Sequence, residues 1–184
     1  MRVIAGVHKG RQLKAVPGKS TRPTTDKVKE AIFQRMGPFF DGGSVLDLFA
    51  GSGSLGIEAL SRGMDFGIFV DKHPKAIHTI DENLRLLKLE DCTEVYRAEA
   101  SRALQATAKR ELKFDLLLLD PPYGKVDYEQ IIRDSLKLDI LNQSAIIYCE
   151  HDPAESILFD QQQFTLVKQD NYGGTIGITI LQKN

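Results

Sequence analysis

The chain has 184 residues, of which 42% are hydrophobic and 27% charged, with a net charge of -1; that is enough for one domain with a substantial core and short of the length that usually forces a split. Two cysteines, no zinc-like Cys/His spacing and no apolar run of membrane-spanning length exclude a disulfide scaffold, a zinc module and a transmembrane helix. The charge is uneven: residues 1–35 carry nine Lys and Arg against Asp26 and Glu30, and the remainder is acidic.

In chain order, "MRVIAG" and "RQLKAV", separated by "VHKG", read as a short β-hairpin, and "PGKSTRPTT" as a loop. A helix is expected from Asp26 to about Met36, capped by Thr24 or Thr25. Val28, Ile32 and Met36 form its apolar stripe, and Lys27, Lys29 and Arg35 project away from it. Strand and helix patterns then alternate: 44–49, 54–62, 66–71, 74–87, 93–97, 100–108, 114–120, a helix at Tyr128 to Leu138 and a strand at Ala145 to Cys149. Strands regularly followed by helices predict an α/β, doubly wound, mostly parallel sheet covered on both faces. "FTLVKQDNYGGTIGITIL" alternates on both sides of Asn171–Gly174 with no helix between, which predicts a closing antiparallel hairpin.

The basic head suggests docking of a polyanion, since phosphate attraction needs only a local patch; a solvated arm reads the same way. Cys92 and Cys149 are expected as buried free thiols in a reducing cytosol, and the basic N-terminus lacks the apolar stretch of a secretory leader.

"DLFAGSGSLG" (47–56) places Gly51, Gly53 and Gly56 between the first core strand and the next helix. Such glycines let a backbone approach a ligand closely, although a plain strand-to-helix turn has the same look. No Gly-Lys-Ser/Thr follows, so this is not a Walker loop. Asp71, at the end of the second strand, is placed to accept from a ribose diol or to cap the following helix. That suits either a nicotinamide dinucleotide or S-adenosylmethionine. Glu99 could face an adenine edge or be a solvated acid, and Asp47 could orient the loop or a cofactor amine.

"FDLLLLDPPYGK" (114–125) runs a buried strand into Asp120, Pro121, Pro122 and Tyr123. The prolines stop the ladder and stiffen the rim, which holds acceptors and an aromatic plate at the edge where doubly wound sheets bind ligands. Acceptors facing an amine, with a ring to stack on its base, form a receptor for a nucleobase NH2. The dehydrogenase alternative lacks a convincing proton-transfer partner. His8, His73 and His78 read as surface or capping residues, and His151, just after a sheet strand, is the best exception.

"LDLFAGSGSLGIEAL" with "DPPY" resembles the class I, seven-strand S-adenosylmethionine-dependent amino-methyltransferases, and "RVIAGVHKGRQL" with "TRPTTDKVKEAIF" narrows the resemblance to the bacterial RsmD family. The resemblance implies transfer of a methyl group to guanine N2 of small-subunit (16S) ribosomal RNA, in a partly or fully assembled 30S particle; the residues themselves suggest a metal-free transfer in the cytoplasm, and a monomer is the default expectation. It implies a cofactor site of Asp47, Phe49, Gly51, Gly53, Gly56, Asp71, Lys72, Glu99, Ala100 and Asp120, and a catalytic stretch Asp120, Pro121, Pro122 and Tyr123. Some members have Phe where Tyr123 stands. RNA contacts are expected from Lys9, Arg11, Arg22, Thr24, Thr25 and Lys27. Residues 1–36 are then an RNA-binding extension and residues 44–184 the catalytic core of a single methyltransferase domain. A DNA adenine or cytosine amino-methyltransferase shares the catalytic stretch, but the chain has no apparent room for a target-recognition region. A non-catalytic RNA-binding module would share only the basic head.

Overall fold

The structure, a computed structural model, describes residues 1–18 and 24–184. Its elements are α1 (Asp26–Met36), β1 (Ser44–Asp47), α2 (Ser54–Ser61), β2 (Phe66–Asp71), α3 (Pro74–Leu86), β3 (Thr93–Arg97), α4 (Ala100–Lys109), β4 (Phe114–Leu119), α5 (Tyr128–Lys137), β5 (Leu141–His151), β6 (Phe164–Tyr172) and β7 (Ile176–Lys183). The seven strands form one sheet in the order β3-β2-β1-β4-β5-β7-β6. The first five are parallel, and β7 lies antiparallel between β5 and β6. The expected doubly wound sheet with a C-terminal hairpin is what forms, and it is the class I S-adenosylmethionine-dependent methyltransferase fold.

Strand periodicity sorts the core into two layers, because successive side chains point to opposite faces. Val45, Leu116, Leu118 and Tyr148 pack with Ile32, Phe33, Ile57 and Ile80 of α1 to α3. Their neighbours Leu46, Leu117, Leu119, Ile147 and Cys149 pack with Leu104 and Ile132 of α4 and α5 on the other face. The run "LLLL" is therefore not redundant, since alternate leucines serve different layers.

Two elements differ from expectation. β5 starts at Leu141 rather than Ala145, because Phe114 pairs with Leu141 across a register shift in the β4–β5 ladder. The N-terminal hairpin is a single antiparallel bridge, Arg2 with Gln12, supported by Val3 N–H to Arg11 O at 2.9 Å and Leu13 N–H to Met1 O at 2.9 Å. Val3 and Leu13 are buried in the first core layer.

Lys29 corrects the reading of α1. It does not project to solvent but is buried, its Nζ donating to Arg2 O at 2.7 Å and Ser54 Oγ at 2.9 Å, 3.7 Å from Glu58 Oε2. Glu58 is fully buried too; it pairs with Arg62 Nε at 2.9 Å and accepts the Ile4 and Ala5 amides at 2.9 and 3.1 Å. A buried carboxylate needs such partners, and here they pin the N-terminal arm onto α2. Burial lowers the Lys29 pKa, against the raising influence of Glu58. Of the two thiols, Cys149 is buried as expected, whereas Cys92 is only half-buried.

Candidate active site

The strand order reverses between β1 and β4, and the crevice beyond their C-terminal ends is where open α/β sheets bind ligands. A cleft of about 820 Å³ opens there. Its wall is built from the loop after β1 (Asp47, Phe49, Gly51), the end of β2 (Asp71, Lys72), the start of α4 (Glu99, Ala100) and the rim after β4 (Asp120 to Tyr123). Gly51 and the Asp-Pro-Pro-Tyr motif, which begins 69 residues further on, thus share one cavity.

The loop is held by carboxylates. Asp71 accepts the Gly51 amide at 3.0 Å through Oδ2 and the His73 amide at 2.9 Å through Oδ1. It therefore ties two loops together and supports the helix start, where His73 occupies the cap position. Each oxygen still has a lone pair for a sugar hydroxyl. Asp47 accepts the Gly56 amide at 3.2 Å through Oδ2, and its Oδ1 has no hydrogen-bond partner among the described residues. Burial is the chief cause that raises its pKa to about 7.

The three glycines play different parts. Gly51 lines the cleft at φ 57°, and a Cβ there would meet nothing within 4 Å. Gly53 takes the left-handed cap of α2 at φ 84°. Gly56 lies behind the loop, where a Cβ would come within 2.4 Å of the Phe69 ring. Gly53 and Gly56 are absent from the cleft wall, so of the three only Gly51 borders the ligand space.

At the opposite wall, Pro121 is buried and Pro122 and Tyr123 are exposed. The Tyr123 hydroxyl donates to Thr175 O at 3.3 Å, which ties the ring to the sheet rim and leaves it 38% exposed. Burial raises the Tyr123 pKa, with Glu150 and Asp120 adding to the effect. Lys72 and Glu99 are exposed at the cleft edge.

The N-terminal arm completes the wall with Met1, Ala15, Val16 and Thr24. Asn83 of α3 clamps it: its amide donates to Lys14 O at 3.0 Å and Ser52 O at 2.9 Å and accepts Lys14 N–H at 2.8 Å. Thr25 caps α1 by accepting the Val28 amide at 3.3 Å, and Lys9, Arg11 and Lys27 are exposed, with Arg11 donating to Leu86 O at 3.1 Å. Arg22, expected to touch RNA, and Pro23 lie outside the described residues.

Sequence reasoning missed Glu150 and Asn83. Glu150 lines the cleft beside the Asp120–Tyr123 stretch, yet in the sequence it is one acid at the end of an apolar run. His151, the exception kept among the histidines, lies outside the cleft wall. It is buried, its Nε2 bonded to Thr179 Oγ1 at 2.9 Å and its Nδ1 to Asp152 O at 2.9 Å. Among the described residues no group of three His, Cys, Asp or Glu is arranged to hold a metal, and no helix is long and apolar enough to cross a membrane.

The cleft fits S-adenosylmethionine by its own features. The unpaired Asp47 oxygen suits an ammonium donor, the open space at Gly51 suits close approach, and Asp71 suits a ribose diol.

Comparisons with known proteins agree. A family described as conserved hypothetical protein 95 matches residues 1–181. The Bacillus subtilis protein YlbH, provisionally named an rRNA methyltransferase, is 49% identical over 183 residues, covering 100% of this chain and 99% of its own. Ribosomal RNA small subunit methyltransferase D of Haemophilus influenzae is 32% identical, covering 94% of this chain and 89% of its own. Among solved structures, the Escherichia coli protein yhhF superposes with a TM-score of 0.85 at 28% identity, covering 100% of this chain and 98% of its own. On this fold, this cleft and a match over nearly its whole length, the chain belongs to the conserved hypothetical protein 95 family and is an S-adenosylmethionine-dependent methyltransferase.

Proposed function

We propose that the protein methylates the exocyclic N2 amine of a guanine in small-subunit ribosomal RNA, presented in a partly or fully assembled 30S particle. The observation that carries the reading is the shared cleft: the Asp120–Tyr123 rim faces the same cavity as the Asp47–Gly51–Asp71 loop. The substrate class is supported by relatives named for small-subunit rRNA methylation and by the basic arm that forms part of the cleft wall.

In this reading Asp47, Phe49, Gly51, Asp71, Lys72, Glu99 and Ala100 hold the cofactor, with Gly53 and Gly56 shaping the loop behind it. S-adenosylmethionine, when bound, would supply a methyl on a sulfonium sulfur; its transfer leaves a neutral thioether and an amine whose extra proton passes to the Asp120 carboxylate or to water. Asp120 and the Pro121 carbonyl accept the amine hydrogens and orient its lone pair, an interaction that strengthens as the nitrogen becomes pyramidal. Pro121 and Pro122 keep these acceptors from moving, so orientation is set before the base arrives. Tyr123, anchored by its hydroxyl, stacks on the flipped base. Lys9, Arg11, Arg22 and Lys27 grip phosphates, and Thr24 and Thr25 lie near the base approach. The small chain leaves shape and assembled context as the source of site selection.

The test is methyl transfer from labelled S-adenosylmethionine to unmodified small subunits, with naked rRNA and DNA alongside, followed by nucleoside analysis. N2-methylguanosine on the subunit supports the reading. Label on an adenine or cytosine amine, or on DNA in preference to the subunit, contradicts it.

A further inference from the structure

Glu150 is a second carboxylate at the catalytic rim, and the functional reading above leaves it without a task. Leu119 pairs with Cys149 in the parallel β4–β5 ladder, so the next residues on the two strands are Asp120 and Glu150. Both line the cleft with Tyr123. Glu150 is 7% exposed. Its side-chain hydrogen-bond partner is a hydroxyl, Tyr148 donating to Oε2 at 3.0 Å, and burial raises its pKa. Its backbone carbonyl accepts from the Tyr128 hydroxyl of α5, which fixes the strand end. Among the described residues no Lys, Arg or His is ion-paired with it. Glu58, a buried acid of α2 away from the cleft wall, has both Arg62 and Lys29.

A carboxylate held in a cleft wall by one hydroxyl is a poor structural element, because an amide would satisfy the same hydroxyl without a buried charge. It is a good receptor for a donor that arrives with the ligand. The three amine-bearing bases differ at the ring nitrogen beside the amine. Guanine C2 is flanked by N1–H, a donor, and by N3, an acceptor; the nitrogen beside the amine is N1 in adenine and N3 in cytosine, both acceptors, so only guanine offers a donor there. A carboxylate facing that edge accepts from guanine and opposes the lone pair of the other two.

We infer that Glu150 selects the target base: its carboxylate accepts the N1–H of guanine while Asp120 and the Pro121 carbonyl hold the N2 amine. This rests on the guanine-N2 reading and deepens it. The Asp-Pro-Pro-Tyr stretch then recognises an amine, and Glu150, one strand over, decides which amine-bearing base is accepted. Tyr123 lies beside both, lining the same cleft as Asp120 and Glu150. Rejection of a base that leaves a buried acceptor unpaired is strong, so the expected discrimination is about 100-fold or more.

Two substitutions separate base reading from scaffolding. Glu150→Gln keeps size and an acceptor for the Tyr148 hydroxyl but can turn a donor toward the base. Glu150→Asp keeps the charge on a shorter stem. Assayed on unmodified small subunits, base reading predicts that the Gln variant loses about 100-fold or more in kcat/KM, retains S-adenosylhomocysteine affinity and is less active than the Asp variant. A purely structural Glu150 gives the reverse order, and that order overturns the inference. An independent arm uses the wild type alone. Guanosine 5′-monophosphate should inhibit at least about fivefold better than 2-aminopurine riboside 5′-monophosphate, which keeps the C2 amine and lacks N1–H; equal or absent inhibition counts against it. Wild-type label on adenine or cytosine sinks the guanine reading and this inference together. N2-methylguanosine from wild type and Gln variant alike sinks the inference only.

Discussion

Asp47 accepts the Gly56 amide at 3.2 Å through one carboxylate oxygen, while the other, Oδ1, has no partner among the described residues. One side chain therefore holds the start of α2 and keeps an acceptor in reserve at the cleft wall. The arrangement disfavours charge in the free protein, where burial raises the pKa to about 7, and suits a bound cation.

The pH dependence of ligand binding follows. The ordinary value is 3.8, so between about pH 4 and 7 the folded free protein binds more protons at this site than the unfolded chain, and stability falls as pH rises through that window. Asp47→Asn removes the effect and should stabilise the free protein at pH 8 by on the order of 2 kcal/mol. The same change should weaken S-adenosylhomocysteine binding at pH 8 by about tenfold, through loss of a charge-assisted hydrogen bond. Wild-type affinity should rise from pH 5.5 to 8, and that of the variant should stay flat. Calorimetric titration across this range checks both.

Gly51 and Gly56 should fail in different ways. Gly56→Ala drives a methyl into the Phe69 ring, at 2.4 Å before relaxation, and should destabilise the fold by about 1–3 kcal/mol. Gly51→Ala meets open space, so its main effect should be on ligand affinity, with about 1 kcal/mol of backbone strain from φ 57°. Urea unfolding and S-adenosylhomocysteine titration of both variants give the comparison.

Glu58 should be among the most sensitive positions for stability. Glu58→Gln leaves Arg62 and Lys29 buried without their shared charge and weakens the hold on the Ile4 and Ala5 amides. A loss of about 3–5 kcal/mol is expected in urea unfolding. Removing the exposed Arg110–Glu94 pair should leave the unfolding midpoint nearly unchanged.

The basic arm should control RNA affinity through salt. Replacing Lys9, Arg11 and Lys27 together by Ala should weaken RNA binding and lower the slope of log affinity against log salt by about 2–3. Filter binding at several salt concentrations measures the slope, and an unchanged value removes these residues from the phosphate interface.

The sheet was legible because its core strands are short continuous apolar runs separated by helical patterns, as the buried stretches of β1, β2 and β4 show, while the last two segments alternate without a helix between them. The cleft was legible because Gly51, Asp71 and the Asp120–Tyr123 stretch all fall at strand ends, which a parallel sheet gathers on one side. Lys29 was misread because helical spacing says which face a residue occupies and not what lies opposite; Glu58 and the arm cover that face. Glu150 and Asn83 carry no local signature. Their placement depends on the β4–β5 register and on the arm folding back, both tertiary facts.

The most direct test of the account is the split between chemistry and cofactor binding in Asp120→Ala, measured as the single-turnover rate of methyl transfer to unmodified small subunits beside the dissociation constant for S-adenosylmethionine. If the rim after β4 holds the reacting amine, the rate should fall by about 100-fold or more, in line with loss of a group that acts on the transition state, and the dissociation constant should change by less than about threefold. Equal losses in both, or an unchanged rate, would contradict the assignment of Asp120 to the amine.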